Sequence, residues 1–475
     1  MIRGAARIIK QTAFRSFVYY NTLTGKLGKG KDNYFTPDVW GMEIAPSGHL
    51  VVQGCDITKL AQEYGTPLYI VDKQKLEKNY SDFLISFQKH YQNCEIAYSY
   101  KTNPLPAVLK ILHNCGASAE VISPFELWLA LKLQVPPKKI IYNGPAKTEE
   151  ALSLAVSNKI SLINLDGPTE IELIDRIAKR YSHKQAVGLR VVTSVGWSSQ
   201  FGFNIEDGSA FRAFRDLSKL LHVDPCGLHL HLGTGIKNIE TYCQAIKEIL
   251  EFSVKLREDL GLSIRYFDIG GGFGVPTVRQ YTDLDRRYFA NNLLPPELSS
   301  STCPLISDFS SPITELFQRY YPATAGGRPK IILEPGRAIT SSAQSLLLKV
   351  VSIKPGENSC SLINLDGGSN IAMPTRWEHH AIFPVSKMTT PKKKSCSVYG
   401  PLCHPHDMLY KLIKLPELKL GDLLLIMDAG AYFIPNQMNF SYPRPSAVLV
   451  KNGRHKIIRE RESFEDIISL DEINP

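Results

Sequence analysis

Residues 227–274 read GLHLHLGTGIKNIETYCQAIKEILEFSVKLREDLGLSIRYFDIGGGFG, and three elements can be read in them. Gly227–His231 alternates apolar and polar residues, as a short strand does. Glu240–Leu260 carries Tyr242, Ala245, Ile246, Ile249, Leu250 and Leu256 at helical spacing and stops at Gly261. Tyr266–Ile269 is a second strand, and it runs into three glycines. Strand, long helix and strand in succession form a βαβ unit, whose two strands lie parallel.

The same alternation extends on both sides. Upstream, Ile96–Tyr100, Ser118–Ile122, Ile140–Asn143, Ser161–Asn164 and Val187–Val192 read as strands, and Lys330–Leu333 follows downstream. Helical periods lie between them at Leu105–Asn114, Pro124–Leu133, Glu149–Ser157, Thr169–Tyr181 and Gly208–Leu221. Eight strands with intervening helices are the count of a (β/α)8 TIM barrel; a doubly wound open sheet is the runner-up. Residues 276–328, with Pro295-Pro296, a serine run and Gly326-Gly327, read as an inserted loop with some helix. After residue 340, short runs such as Ser345–Ile353, Ser361–Leu365 and Leu423–Met427 alternate with Gly/Pro turns, which predicts a β domain. The expected division is a basic extension over 1–35, a strand segment over 36–66 joining the β domain, a barrel over 67–340 and a C-terminal β domain over 341–475.

The chain has 475 residues, 43% of them hydrophobic and 21% charged, which is globular composition and excludes disorder as the main reading. Apolar runs are too short for a membrane span. The net charge is +9, but residues 1–31 hold seven Lys/Arg and no acid, which leaves the remainder at +2. A nearly neutral body offers no nucleic-acid surface. The N-terminal segment reads as a basic surface extension, with an organelle transit peptide left open. Nine scattered cysteines without a CxxC pair fit free thiols in a reducing cytosol, so a cytoplasmic protein without a metal site is expected.

In a barrel, functional groups gather at the C-terminal strand ends. Lys101 follows the first strand, Glu120 ends the second, and Arg190 lies in the fifth. His229 and His231 end the sixth, before Gly233-Thr234-Gly235. Asp268 precedes Gly270-Gly271-Gly272, and Glu334-Pro335-Gly336-Arg337 follows the eighth strand. Singly, each has a plain reading: a solvated lysine, a core histidine, a tight turn, a structural ion pair. His229 and His231 share a face and suit a metal, but no carboxylate or cysteine stands near them in sequence at ligand spacing. Together, a lysine able to bond an aldehyde, a glycine nest with an arginine for phosphate, and a carboxylate for a ring nitrogen are what pyridoxal 5'-phosphate needs.

The ordered motifs YSYKTNP (98–104), HLHLGTGI (229–236), DIGGGFG (268–274), EPGRA (334–338), YGPLCHPHDML (399–409) and DAGAY (428–432) resemble the fold-type III pyridoxal-phosphate decarboxylases, the group of diaminopimelate and ornithine decarboxylases. The resemblance covers about residues 37–450. It implies that Lys101 bonds the cofactor, that Glu120 and Arg190 belong to its site, and that His231 stacks on the ring. It also implies that Glu334 meets the ring nitrogen. Gly233, Thr234, Gly270, Gly271, Gly272, Gly336, Arg337 and Tyr432 would serve the phosphate. Cys403 would enter the partner subunit's site in a head-to-tail homodimer and protonate the substrate Cα. Related racemases carry Arg where Glu334 stands, which favours the decarboxylase branch. A non-catalytic regulatory homologue is the alternative of another class, and retention of Lys101, Glu334, Arg337 and Cys403 argues against it.

Two departures bear on the substrate. His404 follows Cys403, where the family carries an acid for a distal ammonium. Met373 stands where an arginine grips the distal carboxylate of diaminopimelate, with Arg376 and Trp377 close by as substitutes. An unpaired buried ammonium is costly. The expectation is therefore an amino acid with an acylated or anionic far end, for example a citryl-diamino acid of siderophore biosynthesis. The substrate side would then use Arg337, Arg376, Trp377, Cys403, His404 and Tyr432. The alternative is a standard diaminopimelate, ornithine or lysine substrate.

Overall fold

A computed structural model describes residues 12–18, 20, 35–197, 200–291, 293, 303–322 and 327–473. Eight parallel strands close into a barrel: β1 (Cys94–Ser99), β2 (Ser118–Val121), β3 (Ile140–Tyr142), β4 (Leu162–Leu165), β5 (Gln185–Val192), β6 (Val223–His229), β7 (Tyr266–Asp268) and β8 (Lys330–Leu333). Each pairs with its neighbours in chain order, and β8 pairs with β1 to close the ring. The open-sheet runner-up is thereby excluded. Every residue of β2, β3 and β4 is buried, because side chains fill one face of a barrel strand and helices cover the other. Ala97, Ile141, Leu162 and Ile332 pack together inside the ring.

The connecting helices follow the sequence signals. Pro124 opens the helix Pro124–Lys132, and the Ser123 hydroxyl accepts the Glu126 N–H at 3.2 Å while the Glu126 carboxylate accepts the Ile122 N–H at 2.7 Å. The helix Ile239–Leu260 ends on Gly261, which takes the left-handed conformation with φ 69°. Residues 276–328 carry the helix expected within the insertion. They contain the helix Asp283–Ala290 and a 15-residue helix, Ile306–Tyr320, which buries Phe309, Ile313 and Phe317. Ser307, Ser310, Ser311 and Pro312 hide that helix from a propensity reading, and burial of its apolar face overrides them. The Pro295-Pro296 segment lies outside the described residues.

The second sheet runs in the order Met408–Leu415, Lys394–Tyr399, Ser361–Leu365, Gln344–Pro355, Leu68–Asp72, Ser446–Lys451, Arg454–Arg459. Leu68–Asp72 is thus a central strand of this sheet and not the start of the barrel, as a boundary at residue 67 had it. All five of its residues are buried, and both its edges are paired, antiparallel on one side and parallel on the other. The chain then passes into the helix Lys73–Gln88, which packs on the barrel beside Ile306–Tyr320. Residues 42–56 form a small three-stranded sheet whose Leu50 and Val52 share a core with Ile70, Leu347 and Val448 of the large sheet.

A buried carboxylate ties these parts together. Asp428 accepts from the Trp40 indole N–H at 2.9 Å, the Thr277 hydroxyl at 2.9 Å and the Ser341 hydroxyl at 3.1 Å. Of the basic N-terminal segment, residues 12–18 are helical. Phe14 meets the Tyr288 ring edge-on at 5.4 Å, and the Arg15 guanidinium donates to the Asn291 carbonyl at 3.1 Å. The glycine-lysine stretch 25–31 lies outside the described residues. All nine cysteines are free thiols. Among the described residues, no helix is long and apolar enough to cross a membrane.

Candidate active site

The C-terminal ends of the barrel strands bring the predicted groups to one mouth. Lys101 sits in the short turn Tyr100–Thr102 after β1, and its Nζ donates to Glu120 Oε2 at 3.0 Å. Glu120 is fully buried and also accepts from the Ser99 hydroxyl at 2.6 Å and the Asn143 amide at 3.0 Å. The same Asn143 amide donates to Glu334 Oε1 at 2.5 Å. Burial lowers the pKa of Lys101, but the charges of Glu120 and Glu334 and the Tyr432 phenol outweigh it and raise the value.

Glu334 follows β8, held by its own N–H to the Gly270 carbonyl at 2.8 Å. Its Oε2 lies 3.8 Å from His229 Nε2 and 3.9 Å from His231 Nδ1. The carboxylates that the sequence does not place near His229 are therefore supplied by β7 and β8. His231 is half-buried, with Trp197 beside it at 6.0 Å between ring centroids. Burial, then the nearby Lys101 charge, pulls its pKa down to about 3, so the ring is neutral at physiological pH.

The glycine turn forms the far wall. A Cβ on Gly271 would lie 2.1 Å from the Glu334 carbonyl oxygen, and one on Gly272 2.1 Å from the Gly233 carbonyl oxygen, so backbone alone fits there. The Tyr242 hydroxyl anchors the turn through the Gly271 carbonyl at 2.5 Å, and Tyr242 stacks on Phe273 with centroids 4.7 Å apart. One cavity is lined by Lys101, His231, Thr234, Gly272, Glu334, Gly336, Arg337 and Tyr432. The buried Thr102 hydroxyl beside it has no partner among the described residues. A lysine paired to a carboxylate, a second carboxylate opposite, a flat imidazole and a glycine-walled cradle form a donor set that fits pyridoxal phosphate.

Some predicted residues stand elsewhere or are engaged otherwise. Arg190 rests on the Phe201 ring, 4.2 Å from its centroid, and faces Asp166 at 3.7 Å. The Arg337 side chain is clamped by Glu378 through two bonds of 2.9 and 2.6 Å, both residues being buried. Arg376 is exposed and Trp377 half-buried, and neither lines the Lys101 cavity. Cys403 and His404 are exposed on the turn between Lys394–Tyr399 and Met408–Leu415, and within one chain they do not line that cavity either. Asn143, Asn164 and Glu378 were not singled out from the sequence. Asn143 ends the third predicted strand, so the strand-end rule contained its signal; Glu378 lies far from Arg337 in sequence and gives none.

The comparisons agree with this geometry. Residues 75–341 match the family model for the pyridoxal binding domain of pyridoxal-dependent decarboxylases. The diaminopimelate decarboxylase of Methanothermobacter thermautotrophicus is 31% identical over 452 residues, covering 91% of this chain and 97% of that one. The Aquifex aeolicus diaminopimelate decarboxylase is 30% identical over 440 residues, covering 89% and 96%. A crystal structure of the Methanocaldococcus jannaschii diaminopimelate decarboxylase superposes with a TM-score of 0.82 at 28% identity, covering 91% of this chain and 98% of that one. With its closed barrel, second sheet and lysine-carboxylate cavity, the chain belongs to the pyridoxal-phosphate-dependent amino-acid decarboxylases of fold type III.

Proposed function

We propose that this decarboxylase acts on diaminopimelate and releases lysine and CO2. The carrying observation is the coincidence of the Lys101–Glu120–Glu334 cavity with full-length similarity to diaminopimelate decarboxylases. Bound in the cavity, the cofactor supplies an electron sink for the pair left when the bond between Cα and the carboxylate breaks. Lys101 is the residue that bonds it, and Glu120 holds the amine in place. Glu334 would meet the ring nitrogen and favour its protonated form. His231, neutral, offers a flat surface for stacking. Gly233, Thr234, the Gly270–Gly272 turn, Gly336 and Tyr432 would hold the phosphate. Glu378 braces Arg337 through one N–H on each terminal nitrogen, and the other guanidinium N–H groups would donate to the phosphate. Arg190 and His231 line one adjoining pocket.

The proton that replaces CO2 on Cα comes from Cys403 of a second subunit. Its exposure in the single chain supports this, since a thiol that must reach another subunit's cavity has to lie on the surface. The active form is then a head-to-tail homodimer.

A second reading keeps the reaction and changes the substrate's far end. His404 and His406 stand 5.4 Å apart beside Cys403, and the acid of that loop, Asp407, is turned inward and buried. No carboxylate of this turn is therefore free to pair with a distal ammonium, which favours an acylated or anionic group such as a citryl conjugate. The relatives favour the standard reading. Steady-state CO2 release from diaminopimelate, ornithine, lysine and citryl-ornithine decides. Efficient turnover of diaminopimelate is expected; turnover of citryl-ornithine alone would replace the first reading with the second.

A further inference from the structure

Behind Glu334, two buried polar side chains have no task in the account above. His229 and Asp268 end β6 and β7 and are almost wholly buried. With Glu334 they form a cluster whose nearest nitrogen and oxygen atoms all lie within 4.8 Å of one another. Asp268 accepts the Gly270 N–H at 3.1 Å and the Asn164 amide at 3.3 Å, both neutral donors. Glu334 has a neutral donor too, Asn143, but also faces Lys101, His229 and His231. Arg190 bears on both carboxyls, and the Glu120 charge bears on Asp268.

Two carboxyls this close in a dry interior do not both ionise, so the pair holds one proton. The Lys101 charge lies on the Glu334 side, so the proton belongs on Asp268. We propose that Asp268 is a positioning residue whose protonated carboxyl donates a hydrogen bond to Glu334, keeping Glu334 singly negative and aimed into the Lys101 cavity. The electrostatics agree in direction. Burial and the neighbouring Glu334 charge push Asp268 well above the usual carboxylate range. Burial also raises Glu334, but His229 and Lys101 reverse the sign and hold it low. The inference rests on Glu334 serving the ring nitrogen, as proposed above, and not on which amino acid is the substrate.

Infrared spectra of the cofactor-loaded protein at about neutral pH test it, because an ordinary aspartate is ionised there. The expected result is a protonated-carboxyl stretch that disappears in Asp268→Asn. Asn keeps a neutral donor at the same place, so cofactor affinity should fall at least about tenfold in Asp268→Leu and be largely recovered in Asp268→Asn. Three results would overturn the assignment: no such band, a band lost in Glu334→Gln but kept in Asp268→Asn, or an Asp268→Asn protein that misfolds or binds cofactor as poorly as the Leu variant. One equivalent of a divalent metal in the purified holoenzyme would also overturn it, because His229, Asp268 and Glu334 would then be ligands. A failure of the substrate reading leaves the infrared band unchanged, so the two can be told apart.

Discussion

The barrel mouth and the turn at 400–407 are built on opposite plans. At the mouth, Glu120, Asn143 and Glu334 are buried and linked by bonds of 2.5 to 3.0 Å, and Lys101 is tied into them. On the turn, Cys403, His404, Pro405 and His406 are exposed, and only the base is fixed. There Asp407 accepts the Ser369 N–H at 2.6 Å and the Leu402 N–H at 2.8 Å; a Cβ on Gly400 would meet the Gly368 Cα, and one on Gly368 would meet the Asp407 carboxylate. Charges that must act on a cofactor are strongest where water is excluded and their partners are already in place. Residues that must enter another surface have to stay uncovered until that surface arrives. The difference separates the cofactor site, which is preorganised within one chain, from the Cys403 turn, which lies on the surface.

Four measurements would break or sharpen this contrast. The largest effect is expected for Lys101→Ala, which should abolish the visible cofactor absorbance and lower kcat by at least about a thousandfold. A variant that keeps both would remove Lys101 from the mouth's chemistry. Glu334→Gln should retain the fold and lower kcat by roughly a hundredfold, as loss of one preorganised charge does; a near-normal rate would show that the buried plan is not electrostatic.

Cys403→Ala should lower kcat by on the order of tenfold to a hundredfold while leaving cofactor absorbance intact, because Cys403 serves proton delivery and does not line the cofactor cavity. Mixing it with Lys101→Ala subunits should restore up to about a quarter of the activity if sites are shared. Absence of any restoration would place the whole site in one chain. The smallest effect concerns Glu126, near the mouth, where burial and then the Glu120 charge raise its pKa to about 7. An acid whose folded pKa is raised binds more protons when folded, so stability falls as pH rises from the unfolded value toward about 7. Glu126→Gln should flatten that slope, by an amount of order 2 kcal/mol across the window, in chemical denaturation run at several pH values.

Much of the barrel is legible in sequence because strand and helix periods are local. The eight strands read from it match β1–β8 to within a few residues at either end. The helix Ile306–Tyr320 is not legible, since its serines and proline speak against it and only the buried Phe309, Ile313 and Phe317 speak for it. Nor is the placement of Leu68–Asp72, because its four-residue apolar run Leu68–Val71 looks the same in either sheet. At the site, Lys101, Glu120, His231 and Glu334 are found by the strand-end rule. The bonds from Asn143 to Glu334, 191 residues apart, and from Arg337 to Glu378, 41 apart, are not. Arg337 shows the consequence: its residue type suggests an anion receptor, and only the folded chain shows Glu378 fixing its guanidinium at the cavity wall.

From the amino-acid order alone follow the alternation of strands and helices, the side chains at the strand ends and hence the class of chemistry, because these depend on neighbours along the chain. The closed ring decides which of those side chains share a proton, which guanidinium is occupied and which thiol stays in solvent. Such properties depend on distance and dielectric between residues far apart in sequence, and they exist only once the barrel and the second sheet have packed.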